Sequence, residues 1–132
     1  MKIVNAYPPN IDKIREVFTL KPGIVFTYEG KLYNPDGGPT VSDDLLAHEE
    51  THVVQQKEIG GSDAWWSKYF VDIDFRLEQE LEAYRNQYRY ALEHYNRPAR
   101  RRLMKHMSTD LSGKMYGSII SEEEAVNKIK DV

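Results

Sequence analysis

Residues 42–61 constrain this chain more than any other stretch. They read Ser-Asp-Asp-Leu-Leu-Ala-His-Glu-Glu-Thr-His-Val-Val-Gln-Gln-Lys-Glu-Ile-Gly-Gly. Ser42 with Asp43 and Asp44 marks a helix start, because a hydroxyl can satisfy free backbone amides and carboxylates suit the positive end of the dipole. Gly60-Gly61 predicts the end, just after Ile59. Inside lie His48, Glu49 and His52. Side chains four apart stack on one helix face, roughly 6 Å apart along the axis. Both imidazoles can therefore reach a single tetrahedral ion. Glu49 projects beside the first of them, where its carboxylate can take a proton from water on that ion. The flanking Leu45, Leu46, Val53 and Val54 predict deep burial, and two buried imidazoles need a shared partner. A metal supplies one. The plainer alternative is a pair of half-buried histidines bonded to carbonyls.

Composition narrows the remaining chemistry. At 132 residues, with 40% hydrophobic and 30% charged side chains, the chain is expected to form one domain over residues 1–132. Cysteine is absent, which excludes disulfides, thiol catalysis and thiolate ligands, so any metal site draws on His, Asp and Glu. A net charge of −3 argues against nucleic acid as the main partner. The basic cluster Arg97, Arg100, Arg101, Arg102 and Lys105 reads as a solvated helix face. No apolar run is long enough to cross a bilayer, so no membrane partner is expected. Residues 1–10 lack the basic and apolar regions of a secretory signal, and the expected location is cytoplasmic.

Neither repeats nor low-complexity tracts interrupt the chain. Asn10 is placed to cap a short helix through Phe18, which Lys21-Pro-Gly then breaks. Ile24 to Tyr28 and Lys31 to Tyr33, separated by Glu29-Gly30, form the pattern of a hairpin. Past Ser62, a short aromatic helix around Trp65 and Trp66 leads into a long helix from about Asp72 to Tyr95. Both tryptophans are expected to serve packing. Pro98 opens another helix, Gly113 and Gly117 bracket a loop, and Ser121-Glu-Glu-Glu124 is a capping box for the last. The expected fold class is α+β, mostly helical, with a small amino-terminal sheet or hairpin.

Catalytic zinc usually has three protein ligands and an open position. Beyond His48 and His52 only His94 and His106 remain among histidines. The stronger candidate lies in Arg76-Leu-Glu-Gln-Glu-Leu-Glu-Ala-Tyr84. Its apolar stripe runs Ile73, Leu77, Leu81, Tyr84, Tyr88, Leu92 and Tyr95, and Glu80 sits at the inward edge. Glu78 and Glu82 share the opposite face with Arg85 and Arg89, where exposed pairs are expected. A buried lone carboxylate is costly unless paired. Its partner is a divalent ion or, failing that, Arg76 or a buried tyrosine.

These residues resemble the zincin metallopeptidases, and within them the gluzincins, in which HExxH is followed by a second helix bearing a glutamate ligand. Glu80-Leu-Glu-Ala83-Tyr84 fits the Glu-x-x-Ala-Asp pattern of that helix except at its last position. There tyrosine replaces the acidic residue that orients a ligand histidine. Leu45 to Gln56 is also similar to HExxHVVQQ domains of secreted bacterial toxin cargo. Pro22-Gly-Ile-Val-Phe26, Tyr33-Asn-Pro35, Ala64-Trp-Trp66, Phe75 to Tyr84, Tyr116-Gly117 and Ile120-Ser121 look like small zincins encoded by bacteriophages and prophages. The resemblance implies a minimal zincin-like domain in a bacterium or a phage-infected host. Its zinc would be held by His48, His52 and Glu80, with Glu49 the general base and a peptide or protein the substrate. It further implies a substrate extended along an edge strand, for which the hairpin of residues 24–33 is the candidate, and an oxyanion donor such as Tyr84 or Tyr116. The competing reading is a non-catalytic, metal-stabilised binding or phage assembly protein.

Overall fold

The computed structural model describes residues 1–131. Its order is β1 (Lys2–Val4), α1 (Ile11–Val17), β2 (Phe26–Tyr28), β3 (Lys31–Tyr33), α2 (Asp43–Glu58), α3 (Ser62–Val71), α4 (Ile73–His94), α5 (Arg97–Leu111), a 3₁₀ turn (Lys114–Tyr116) and α6 (Glu122–Lys130). The α+β class, mostly helical with a small amino-terminal sheet, is as expected.

The hairpin forms where Glu29 and Gly30 separate its strands. Both turn residues have positive φ, +47° and +76°, the condition that the two-residue turn matching strand twist requires. Phe26 pairs with Tyr33 and Tyr28 with Lys31. The strand β1 was not anticipated. It adds parallel to β3, Lys2 against Lys31 and Val4 against Tyr33, which makes β3 the central strand. Strand β2 is an edge, yet not an open one. The Thr27 carbonyl accepts from Gln56 Nε2 and Trp66 Nε1, each at 3.0 Å, and the Glu29 amide donates to Ser62 Oγ at 2.8 Å. Side chains of α2 and α3 thus occupy backbone groups that an added strand would need.

Two apolar clusters flank the helical pair α2 and α4. One joins the sheet to α1 and α3 through Ile14, Phe26, Trp65, Trp66 and Tyr69. The other joins α4, α5 and α6 through Tyr84, Met104, Met107, Leu111 and Ile129. The tryptophans are packing residues as expected, with both rings buried.

Helix α2 departs from its expected burial. Its buried residues are Asp44, His48, Glu49, Thr51, His52, Gln55 and Gln56. Leu45, Leu46 and Val53 are only half-buried and Val54 is exposed. The facing side of α4 is polar as well, so hydrogen bonding sets the rotation of α2. On α4 the centre of burial falls on Arg76, Glu80, Ala83, Gln87 and Ala91, while Ile73 and Leu92 are exposed. This helix packs on two sides. Leu77, Leu81 and Tyr88 serve the carboxy-terminal cluster, and Glu80 faces α2. The expected caps at Asn10 and Ser42 make no side-chain bond to the free amides of their helices, whereas Asp72, Asn96 and Ser121 each cap theirs.

Candidate metal centre

His48 and His52, one turn apart on α2, bring their ring centroids to 4.9 Å. Glu80 arrives from α4 and places Oε1 at 3.0 Å from His48 Nε2 and 2.9 Å from His52 Nε2. Its other oxygen accepts from the Tyr69 hydroxyl of α3 at 2.5 Å. The structure thus brings His48, His52 and the inward Glu80 together. Glu78 and Glu82 stay exposed.

The far nitrogens of the two rings fix their protonation. Gln87 donates its amide to Asp44 Oδ2 at 2.7 Å, so its carbonyl Oε1 faces His48 Nδ1 at 2.9 Å and can only accept. Gln55 donates to the Gln79 carbonyl and to Glu82 Oε1, so its own Oε1 faces His52 Nδ1 at 2.7 Å. Each Nδ1 must carry its hydrogen. A neutral imidazole then presents a bare lone pair at Nε2. Both lone pairs point at a carboxylate oxygen. Three electron-rich atoms converge, an arrangement that repels itself unless a proton or a cation lies among them.

The residues fit a cation on these grounds. Around an ion bound at ~2.0–2.1 Å with tetrahedral angles, neighbouring ligand atoms lie roughly 3.3 Å apart. The observed separations are only slightly tighter. The far-side bonds from each imidazole to an anchored amide are the supports that hold ligand rings in place. Among the described residues, His48, Glu49 and His52 offer ligand atoms that all lie within 4.8 Å of one another.

Without an ion, a proton shared with Glu80 answers the same convergence. Burial pushes the Glu80 carboxyl up, but His52 and His48 outweigh it and hold it well below the usual carboxylate range. Burial pulls His52 down, yet the Glu80 carboxylate beside it raises it to about 9. Aromatic rings close the sides: Tyr84 meets His48 edge-on at 4.6 Å and Trp65 meets His52 at 5.1 Å. Their solvent-facing fractions are small, 6% for His48, 5% for Glu49, 4% for His52 and 7% for Glu80.

Glu49 differs from its neighbours in having a partner of its own. Thr27 Oγ1 on β2 donates to Glu49 Oε2 at 2.6 Å. One oxygen is thereby held and the other is left for a proton.

Several expectations need revision. Arg76 does not pair with Glu80; it donates to the carbonyls of Tyr69, Phe70 and Met115. A buried tyrosine, Tyr69, does bind Glu80, but on the oxygen turned away from the histidines. Arg85 and Arg89 pair with neither Glu78 nor Glu82; they donate to the Lys128 carbonyl and to Asn86. His94 and His106 sit at the surface beside Glu93 and Asp110. Tyr84 turns its hydroxyl toward Asp110 at 3.5 Å, and Tyr116 is buried near Tyr69. Sequence reasoning missed Gln55, Gln87, Asp44, Thr27 and Tyr69. A signal existed for Gln87, which lies two turns beyond Glu80 on the same helix face.

Compared with protein families, with curated proteins and with solved structures, the chain matches none. Fold and site together define a small, mostly helical α+β protein with a buried His-Glu-x-x-His group able to hold a metal ion.

Proposed function

We propose that this protein is a zinc-dependent hydrolase of the zincin type, cleaving peptide bonds in a peptide or protein substrate. The observation that carries the reading is the pair of Nε2 lone pairs, fixed by Gln55 and Gln87, that converge with Glu80 while Glu49 stands beside them on a separate anchor. Two imidazoles and one carboxylate favour zinc over hard cations. When bound, zinc supplies Lewis acidity, polarising a carbonyl and acidifying water toward a pKa of ~7.

His48, His52 and Glu80 hold the ion in this scheme. Glu49 acts as general base through Oε1, because Thr27 occupies Oε2. After attack on the substrate carbonyl, the same oxygen returns the proton to the leaving amine. Glu49→Gln keeps the shape and removes the basicity. Zinc-loaded wild-type protein is expected to hydrolyse fluorescent casein, and the Gln variant to lose roughly 100-fold or more with zinc content unchanged. Equal activity would remove Glu49 from the mechanism.

A second reading has its own support. All four residues are buried, and the site bridges two apolar clusters, as a metal that only stabilises the fold would do. Stoichiometric zinc in a protein that cleaves no peptide would favour this non-catalytic binding or assembly role.

A further inference from the structure

Beyond the metal group, α4 borders a groove that neither reading uses. It runs between α4, α5 and α6 with a volume of about 600 Å³, within the range of binding clefts, ~300–1,000 Å³. Its floor is apolar, built from Tyr88, Leu92, Met104 and Val126. Leu92 is 45% exposed.

The rim is cationic. Lys105 lines it but pairs with Glu122; the other cations are Arg97, Arg100 and Arg101 of α5 and Lys130 of α6. Among the described residues none of these four forms an ion pair. Arg100 spends one amine on the Tyr95 carbonyl. The arginines also crowd the first turns of α5, which contain no acidic residue. Positive charge there opposes the helix dipole, so this placement does not serve the stability of α5. In a chain of net charge −3, an unpaired cationic cluster around an apolar floor is complementary to carboxylates carried on an apolar ridge. A polyphosphate chain would match the cations and leave the apolar lining unfilled; of the two acidic lining residues, Glu122 is already paired with Lys105.

We propose that this groove docks an acidic amphipathic segment of another protein, with the apolar face of that segment on Leu92 and Tyr88 and its carboxylates against Arg97, Arg101 and Lys130. The inference is independent of hydrolysis, since no residue lining the groove belongs to the metal group. The probe is a fluorescein-labelled synthetic helix, about four turns long, with leucines along one face and glutamates flanking them. Fluorescence anisotropy against the full chain is expected to register binding that weakens as salt rises. Arg97→Glu with Arg101→Glu, and separately Leu92→Asp, should each weaken it roughly tenfold or more. All three positions are exposed, and far-ultraviolet circular dichroism checks that the variants keep their helices. Arg15→Glu, an exposed arginine on α1, should leave binding unchanged. Peptides with Glu replaced by Gln, or with the leucine face scrambled, should not bind. The proposal is overturned if the acidic helix fails to bind, if the scrambled peptide binds equally well, or if a single-stranded oligonucleotide of equal charge binds more tightly.

Discussion

A single amide decides which nitrogen of His48 is available. Gln87 is held by the Asp44 carboxylate at 2.7 Å, and that bond turns its carbonyl toward the imidazole. If Gln87 is replaced by Leu, the ring loses the acceptor for Nδ1–H, and the Asp44 carboxylate loses a donor. Both tautomers then become accessible and the ring is free to rotate. Supports of this kind are worth about 10–100-fold in metal affinity. Gln87→Leu is therefore expected to weaken zinc by that factor in a chelator competition. If Leu binds zinc as tightly as wild type, the tautomer is fixed by something other than Gln87. Tyr84 bears on the same point: it packs against His48 as an aromatic wall, while Gln87, one turn further along α4, meets the ring's Nδ1.

Helix α2 is anchored at its start by the same carboxylate. Asp44 accepts from Tyr95 at the end of α4 at 2.6 Å as well as from Gln87. Burial pushes Asp44 up, but the hydrogen bonds from Tyr95, Gln87 and Ser42 together hold it below its ordinary value. A carboxyl lowered in the folded state contributes stability that is fully present above its unfolded pKa of ~3.9 and is lost as pH falls through the folded value. Asp44→Asn should thus be less stable than wild type at pH 7. The deficit should narrow on acidification below about pH 4, where the unfolded wild-type chain takes up the proton that the folded Asp44 still resists. Urea midpoints of the two proteins at pH 7 and pH 3 test this, and a deficit that stays constant would refute it. The ends of α2 and the inward placement of Glu80 were legible because caps, glycines and helical phase are local. The polar burial of α2 was not, since hydropathy sends Leu45 and Val54 inward while the partners that bury Gln55 and Asp44 come from another helix. Nor was β1: three residues are too few for alternation, and its partner β3 is remote in sequence.

Across the whole molecule, the metal group occupies the seam between the two apolar clusters, and each cluster lends it one aromatic wall, Tyr84 from one and Trp65 from the other. The seam itself has little apolar content, because α2 and α4 meet through Asp44, His48, His52, Gln55, Glu80 and Gln87. Hydrophobic burial therefore holds each half together but contributes little to joining them. An ion shared by His48, His52 and Glu80 would supply that junction, since it binds the folded arrangement and finds no preformed site in the unfolded chain. At a free zinc concentration about 1,000 times its Kd, such binding stabilises by roughly 4 kcal/mol. For a chain of this size that corresponds to a midpoint shift on the order of 10–20 °C. Stripping with a chelator should lower the thermal midpoint by that amount, and adding zinc back should restore it. Glu49→Gln should respond as wild type does, because Glu49 is placed as a base and not as a ligand. His52→Ala should show no zinc response and melt at or below the stripped value, because it also removes the buried partner of Glu80. A midpoint indifferent to both chelator and zinc would mean that the seam is joined by the hydrogen bonds alone, with a proton in the place assigned to the ion.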